Sequence, residues 1–241
     1  MNPRAWRGVC TLERVAAWDN LWLAAERARR GKTRRSDVEA FELRRESELR
    51  AIHEELRAGA WQPGPYREFE IFEPKRRTIT AAPYRDRVVH HALCAVLAPV
   101  LERRFIARSF SCQIGKGTTA ARECCRQLAN RHRWVLKCDV RKFFPSLDHA
   151  MLREKLAGEV ACAGVSALID RILASFQTPG AGPPRGLPIG NLTSQLWGNF
   201  YLDALDHTLT EREQHGAYLR YTDDFLPVSY THLTLPTNRE V

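Results

Sequence analysis

The spacing of apolar positions along the chain predicts a mostly helical protein with a few short strands. Apolar residues recur every three or four positions in several segments, which is the period of an amphipathic helix. The predicted helices cover residues 12–30, 36–58, 84–102, 118–131, 148–156 and 192–209. Gly31 and Gly59 follow the first two and are typical helix ends, and Ser36 with Glu39 forms the pattern of a capping box at the start of the second.

Several short segments have the alternation or composition of β-strands. Phe69 and Ile71 alternate with glutamates, and a turn at 74–77 connects them to a second strand at 78–80. Two further strands are predicted from apolar runs that end next to carboxylates. They cover residues 134–140 and 218–221.

The chain carries an excess of positive charge that is concentrated in one segment. Its 241 residues include 37 Lys and Arg against 28 Asp and Glu, a net charge of +9. Residues 104–142 alone hold ten of the basic residues and only two acidic ones. Such a block indicates a polyanionic partner, either nucleic acid or an acidic membrane surface, with a solvated basic face as the alternative. The 44% of hydrophobic residues is typical of a folded globular protein.

The cysteine and histidine patterns predict no metal or disulfide site. The seven cysteines include no C-x-x-C pair, so reduced thiols in a cytoplasmic protein are expected. His90 and His91 lack a third ligand at a suitable spacing and are interpreted as hydrogen-bonded helix histidines. The longest apolar stretch, 92–101, is about half of what a bilayer span needs. The N-terminus shows no secretory signal.

Acidic residues beside two predicted strands are the main candidates for chemistry. Asp139 ends the strand over 134–140, and Asp223 with Asp224 follows the strand over 218–221. Each feature alone is typical of a cap or a turn. In a basic protein, however, carboxylates that face a phosphate backbone need bridging cations, and Mg²⁺ prefers such oxygen ligands. A pair of Mg²⁺ ions activates an attacking 3′-hydroxyl and stabilises a leaving pyrophosphate.

The same carboxylates lie in segments that resemble the palm motifs of reverse transcriptases. Residues 221–224 read Tyr-Thr-Asp-Asp, like the Tyr-x-Asp-Asp motif, and residues 139–148 resemble the first palm motif. The implied catalytic residues are Asp139, Asp223 and Asp224, and the implied ligands of two Mg²⁺ ions are Asp139, Val140, Asp223 and Asp224. The resemblance also implies an α+β right-hand polymerase fragment, with fingers and an antiparallel palm sheet with helices, and with the thumb missing.

Further motif positions imply contacts with nucleotide and template. Phe144 occupies the position of a steric gate that favours dNTPs over NTPs, whereas Phe143 is interpreted as a core residue. The segment 74–77 resembles the fingers, where cations contact a triphosphate. The implied dNTP-binding residues are Lys75, Arg77, Phe144, Gly190 and Gln195, and the implied template-binding residues are Lys116, Gly117 and Arg185.

The segment 185–195 resembles one group of reverse transcriptases more than the others. Its Ile-Gly-x-x-x-Ser-Gln pattern resembles the enzymes of diversity-generating retroelements, whereas most group II intron and retron enzymes end this motif in Ser-Pro. That type implies mutagenic retrohoming in a bacterial or phage-encoded system. A template RNA is copied from a primer into cDNA with errors opposite adenines, a small basic accessory protein takes part, and no membrane is involved. A group II intron or retron-type enzyme and a non-catalytic RNA-binding protein with a polymerase-like fold are the alternatives.

The resemblance divides the chain into a helical N-terminal region (1–65), fingers (66–133) and a partial palm (134–227). The last residues, 228–241, depart from the family pattern. Ten of them, 228–237, match in one reading frame the codons of a transposase sequencing adapter and its primer arm, so the tail is interpreted as non-native read-through. The catalytic hairpin then lacks its native second strand, and this truncated chain is expected to be inactive.

Overall fold

The structure is a computed structural model, and it describes four stretches of the chain: residues 8–72, 76–180, 182–212 and 217–229. The chain divides into two compact units. Unit 1 combines the residues up to Arg103 with Phe144–Trp197, and unit 2 combines Arg104–Phe143 with the residues from Gly198 onward. The domain boundaries given above stay predictions. Most of the suspected tail lies outside the described residues.

Helices dominate the described chain. In chain order they are α1 (Leu12–Ala16), α2 (Trp18–Arg29), α3 (Ser36–Leu43), α4 (Arg45–Arg57), α5 (Tyr84–Glu102), α6 (Thr118–Arg131), α7 (Phe143–Ser146), α8 (His149–Ala157), α9 (Ala163–Ala174), α10 (Leu192–Tyr201) and α11 (Asp203–His207), followed by a π-helical turn (Thr208–Arg212). The strands are β1 (Arg67–Ile71), β2 (Arg77–Ala81), β3 (Trp134–Val135), β4 (Cys138–Asp139), β5 (Ala217–Tyr221) and β6 (Asp224–Ser229). Helices combined with antiparallel strand pairs confirm the α+β class. Within the described ranges, no helix is long and apolar enough to cross a membrane.

Two predicted helices are each divided into two. The amphipathic segment 12–30 bends at Ala17, whose ψ of 138° lies outside the helical range, so α1 ends before α2 begins. The segment 36–58 is interrupted at Arg44, between α3 and α4. Both glycines that were predicted at helix ends adopt positive φ angles, which an L-residue reaches only with strain. The boundaries at the glycines are therefore confirmed, whereas the continuity of each long helix is wrong.

The predicted capping box at Ser36 and Glu39 does not form. Arg35 is the N-cap of α3, and its carbonyl oxygen accepts hydrogen bonds from the N–H groups of Val38 and Glu39 at 3.0 and 2.9 Å. Ser36 therefore lies inside the first turn rather than before it. The N–H of Arg35 donates to the carbonyl of Lys32 at 3.1 Å and forms a turn before α3. The N-cap is therefore Arg35, one residue before the predicted cap.

The core of unit 1 is centred on the packing of α2 against α5. The alanines of α2, among them Ala24 and Ala28, are fully buried and allow the two helix backbones to approach closely. Leu93 and Leu97 of α5 are also fully buried. Asn20 of α2 donates a hydrogen bond through Nδ2 to the Ala92 carbonyl at 3.1 Å, which fixes the register of the two helices.

Unit 1 also contains the predicted hairpin. Strands β1 and β2 pair antiparallel, with Phe69 opposite Ile79. The residues that connect them, 73–75, lie outside the described part of the chain. The strand prediction is confirmed, and its predicted turn is not described.

Unit 2 is built around β6, which pairs from Asp224 to Val228 with β5 and, on its other edge, with β3 and β4. The single strand that was predicted over 134–140 is thus two short ladders on the same edge of β6. Helix α6 covers one face of the sheet. Its Ala121 and Leu128 form a buried cluster with Leu219 of β5 and Val228 of β6. Because each strand alternates its faces, the residues between these apolar positions point to the opposite side of the sheet.

Candidate active site

The backbone positions of the three predicted catalytic aspartates lie at one corner of the unit 2 sheet. Asp139 at the end of β4 is directly opposite Asp224 at the start of β6. Asp223 lies in the turn that precedes β6, and its carbonyl accepts a hydrogen bond from the N–H of Val140 at 3.2 Å. Strand pairing alone therefore brings together the residues that the sequence motifs selected.

The turn between β5 and β6 is tight and strained. Tyr221 pairs with Asp224, which leaves Thr222 and Asp223 as the two turn residues. Thr222 has a φ of 59°, an unusual value for a β-branched residue. Such a conformation persists only where surrounding contacts impose it. The Thr222 hydroxyl donates to Ser111 Oγ at 2.7 Å, and its carbonyl accepts from Arg220 Nη1 at 2.9 Å.

A buried charged network lies behind this turn. The Arg220 side chain is 0% exposed and donates to both carboxylate oxygens of Asp206, from Nε at 2.7 Å and from Nη2 at 2.6 Å. Its Nη1 also donates to Asn199 Oδ1 at 3.0 Å, and the Tyr218 hydroxyl donates to Asp206 Oδ1 at 2.8 Å. Burial and the neighbouring Asp206 carboxylate raise the pKa of Tyr218, so it stays a neutral donor.

The sequence analysis missed this network. Arg220 stands inside an apolar strand segment, and Asp206 lies in the helical stretch that was predicted over 192–209. A cation in the middle of an apolar strand is a signal for a buried ion pair, because an unpaired charge is too costly to bury. The partner was not identifiable, since nothing in the local pattern links the two positions.

The carboxylates fit Mg²⁺ by donor chemistry, but their side chains are not gathered into a cluster. Among the residues that the structure describes, no three His, Cys, Asp or Glu side chains come close enough together to hold a metal ion. The Asp139 side chain is exposed, and Asp224 Oδ1 lies 3.6 Å from the Lys137 ammonium. An ion pair between two exposed side chains contributes little to stability.

The predicted nucleotide-binding residues belong to unit 1. Leu187 donates a backbone hydrogen bond to the carbonyl of Phe144 at 2.9 Å. Gly190 has a φ of 118°, which only glycine adopts without strain, and a Cβ at this position would lie 3.6 Å from Ile79 Cγ2. Gln195 lies in the first turn of α10. Lys75 lies outside the described residues, and only the backbone of Arg77 is described. A role in dNTP binding stays a prediction for all five residues.

The predicted template-binding residues make structural contacts. The Lys116 ammonium donates to the Ser109 carbonyl at 2.7 Å. Gly117 is the N-cap of α6, with a φ of 130°. The Arg185 guanidinium lies 3.5 Å from Asp148 Oδ2. A role in template binding stays a prediction for all three.

Two curated proteins resemble the chain in sequence. Protein YkfC of Escherichia coli (strain K12) is 28% identical over 179 residues, which cover 70% of this chain and 47% of that protein. The Putative COX1/OXI3 intron 1 protein of Saccharomyces cerevisiae is 22% identical over 186 residues, covering 70% of this chain and 22% of that protein. The chain thus spans less than half the length of each of these relatives. No protein-family model matches it.

Solved structures of an RT-containing complex share the fold. The chain aligns with a partial Cas6-RT-Cas1–Cas2 complex at a TM-score of 0.57 and 21% identity, over 92% of this chain and 38% of that chain. The Cas6-RT-Cas1–Cas2 complex gives the same score and identity, and there the match covers 24% of that chain. This likeness confirms the expected fingers–palm fold of a polymerase. It does not distinguish the retroelement type that the motifs imply.

Proposed function

We propose that the chain is the fingers-and-palm part of an RNA-directed DNA polymerase that copies an RNA template into cDNA. The observation that carries this proposal is the pairing of Asp139 with Asp224 across β4 and β6, with Asp223 in the adjoining turn. The fold shared with an RT-containing complex supports it, as does the basic segment 104–142, whose charge favours a nucleic-acid partner. Template RNA, a DNA primer and dNTPs are the proposed partners.

In this proposal the residues of unit 2 hold and place the metal ions. Asp139, Asp223 and Asp224 would hold two Mg²⁺ ions, with Val140 beside them. When bound, the ions supply activation of the 3′-hydroxyl and charge stabilisation of the pyrophosphate. The pair of Arg220 with Asp206 fixes the end of β5, and the strained Thr222 sets the direction of the turn that carries Asp223. Lys137 neutralises Asp224 until a cation replaces it.

The finer proposal is an enzyme of a diversity-generating retroelement, which works with a small basic accessory protein. It rests on the Ile-Gly-x-x-x-Ser-Gln pattern of 189–195. A group II intron or retron-type enzyme is the second candidate, and the similarity to a yeast intron protein favours it. Sequencing of the cDNA distinguishes the two, because errors concentrated opposite template adenines are expected only for the first.

The catalytic assignment is tested by the substitution Asp223→Ala in the complete gene product. Mg²⁺-dependent incorporation of dNTPs on an RNA template is expected to fall at least about a thousandfold, because one shared metal ligand is lost. Asp19→Ala, at an exposed carboxylate of α2, is the matched control and is expected to keep full activity. If the Asp223→Ala protein retains the incorporation rate of the control, the proposed function is wrong.

A further inference from the structure

A small cavity in unit 1 has a strongly basic lining. Its volume is about 200 Å³, and its lining includes Lys32, Arg87, His90, His91, Gly190 and Gln195. Among the described residues that form it, there is no aspartate or glutamate. The lining comes from three distant parts of the sequence: the turn after α2, the first half of α5 and the start of α10. A cavity of this composition is suited to an anion.

The two cations of the cavity, Lys32 and Arg87, form no ion pair with an acid among the described residues, and Arg87 donates through Nε to the Ala82 carbonyl at 2.8 Å. The Lys32 ammonium forms no hydrogen bond or ion pair with a described residue, and burial and the charge of Arg87 lower its pKa. Burial and the charges of Lys32, Arg27 and Arg87 lower the pKa of His91 to about 4. Asp37 is the acid whose charge reaches both Lys32 and Arg87, but it is exposed and does not line the cavity. The positive charge in the cavity is therefore incompletely compensated.

His90 provides a second, independent observation that points to a ligand in this cavity. Its side chain is 2% exposed, and Nδ1 is buried without a hydrogen-bond partner among the described residues. The interpretation of His90 as a hydrogen-bonded helix histidine is therefore wrong for this atom. Burial lowers the pKa of His90 to about 3, so the ring is neutral and Nδ1 is free to accept or donate one hydrogen bond. A buried polar atom without a partner calls for a bound group.

The start of α10 adds oriented dipoles to the same cavity. The first turn of a helix has N–H groups without intrahelical partners, and Leu192–Tyr201 is long enough to carry a macrodipole. Gly190 precedes this turn with a φ of 118° and no side chain, so the backbone is accessible from the cavity. Anions with several oxygen atoms are typical ligands of such a turn.

We propose that this cavity binds one phosphate group of a nucleotide or of a nucleic-acid strand, held by Lys32, Arg87, His90 and the first turn of α10. The inference rests on the proposed polymerase function, because that function brings phosphate-bearing ligands to the chain. It adds Lys32 of the N-terminal region and His90 of α5 to Gly190 and Gln195, which the resemblance already implies for dNTP binding. Arg87 lies in the segment 83–87, which also resembles the fingers. The two sources of the phosphate share one chemistry and are distinguished by experiment.

The test compares Lys32→Gln with Arg34→Gln in the full chain, without Mg²⁺ or primer so that no polymerisation occurs. Both substitutions remove one positive charge from the same turn, but Arg34 is exposed and does not line the cavity. Binding of three probes is measured by titration: inorganic tripolyphosphate, dTTP, and a short labelled single-stranded RNA at several salt concentrations. Arg87→Gln serves as a second variant, and thermal unfolding establishes that each protein is folded.

Two outcomes support the proposal and identify the source of the phosphate. If the cavity holds a nucleotide, Lys32→Gln weakens tripolyphosphate and dTTP binding by about tenfold or more and leaves RNA affinity at the level of Arg34→Gln. If it holds a strand, RNA affinity falls instead, and the dependence of log affinity on log salt loses about one unit of slope.

Equal affinities of Lys32→Gln and Arg34→Gln for all three probes overturn the proposal. That result is distinguishable from failure of the polymerase assignment, which would appear as an absence of Asp223-dependent incorporation whatever the binding of the probes.

Discussion

The sheet corner of unit 2 and the basic cavity of unit 1 differ in how their charged and polar side chains are paired. Behind the sheet corner, Arg220 and Asp206 are both fully buried and are joined by two short hydrogen bonds. Around the cavity, the Lys32 ammonium and His90 Nδ1 have no hydrogen-bond partner among the described residues. The hydrogen bonds of the first arrangement are satisfied within the protein, whereas these two groups of the second have no partner among the described residues.

The difference indicates two roles: paired buried groups stabilise the fold, whereas unpaired groups are available to bind a ligand. A buried ion pair with its hydrogen bonds satisfied stabilises one backbone conformation, here the turn that carries Asp223, while the three predicted catalytic aspartates remain partly or fully exposed. Buried polar groups without partners destabilise the empty protein, and a ligand that satisfies them removes this destabilisation. Satisfied and unsatisfied buried polar groups thus point to different roles in one chain.

The largest effect is expected from breaking the buried pair. Arg220→Met leaves the Asp206 carboxylate buried without its cation, and we expect the free energy of unfolding to fall by about 3–5 kcal/mol. Urea denaturation followed by circular dichroism measures this change. Arg153→Met is the matched control, because Arg153 pairs with Asp170 at the surface, and a loss of at most about 1 kcal/mol is expected there. Equal losses in the two variants would show that the network does not support the turn.

The next effect concerns Asp86, a second incompletely compensated group of unit 1. Burial raises its pKa to about 6, although it accepts a hydrogen bond from the Gly64 N–H at 2.7 Å. Because the folded protein binds the proton more tightly, this contribution to stability is fully present below about pH 4 and is lost as the pH rises through about 6. Asp86→Asn keeps the acceptor and carries no charge. It is therefore expected to raise the free energy of unfolding at pH 7 by about 2 kcal/mol and to change little at pH 4.

The pH dependence of unfolding between pH 4 and 7 is the measurement that checks this prediction. Asp19→Asn, at an exposed carboxylate, serves as the control and is expected to leave the pH profile unchanged. A wild-type profile that is retained in Asp86→Asn would mean that another group titrates in this range.

A smaller effect is expected at the strained turn itself. Ser111→Ala removes the acceptor of the Thr222 hydroxyl, so the positive φ of Thr222 loses one of its two restraints. We expect a loss of about 1 kcal/mol in the free energy of unfolding. Ser47→Ala at the surface, where the hydroxyl bonds only the Arg44 carbonyl, is expected to change stability by less than about 0.5 kcal/mol. A loss no greater in Ser111→Ala than in this control would remove Ser111 from the support of the turn.

The smallest change in stability is expected at the exposed ion pair of Lys137 with Asp224. Lys137→Gln breaks a pair whose lysine is 73% exposed, and the free energy of unfolding should stay within about 0.5 kcal/mol of wild type. The substitution frees Asp224, so half-maximal incorporation by the complete gene product should require less Mg²⁺. A higher Mg²⁺ requirement would show instead that Lys137 assists metal or substrate binding.

Local sequence patterns predicted the elements whose apolar positions follow a regular period. The bounds of α5 and α6 and the pairing of β1 with β2 agree with their periodicity. The breaks at Ala17 and Arg44 were not predictable, because the apolar spacing continues across both and only packing requires the change of direction. Helix α9 was not predicted, although Val165, Leu168 and Ile172 are buried at helical spacing.

The sequence by itself determined the kinds of groups that this protein can use: three aspartates beside strand ends, a basic segment and a glycine before α10. It did so because residue type and short spacing are encoded locally. Only the tertiary structure decided that Asp139 lies opposite Asp224, that Arg220 finds Asp206, and that Lys32 and His90 line one cavity with the start of α10. These pairings join distant segments, and they are selected by the burial and hydrogen bonding of the whole fold rather than by any local preference.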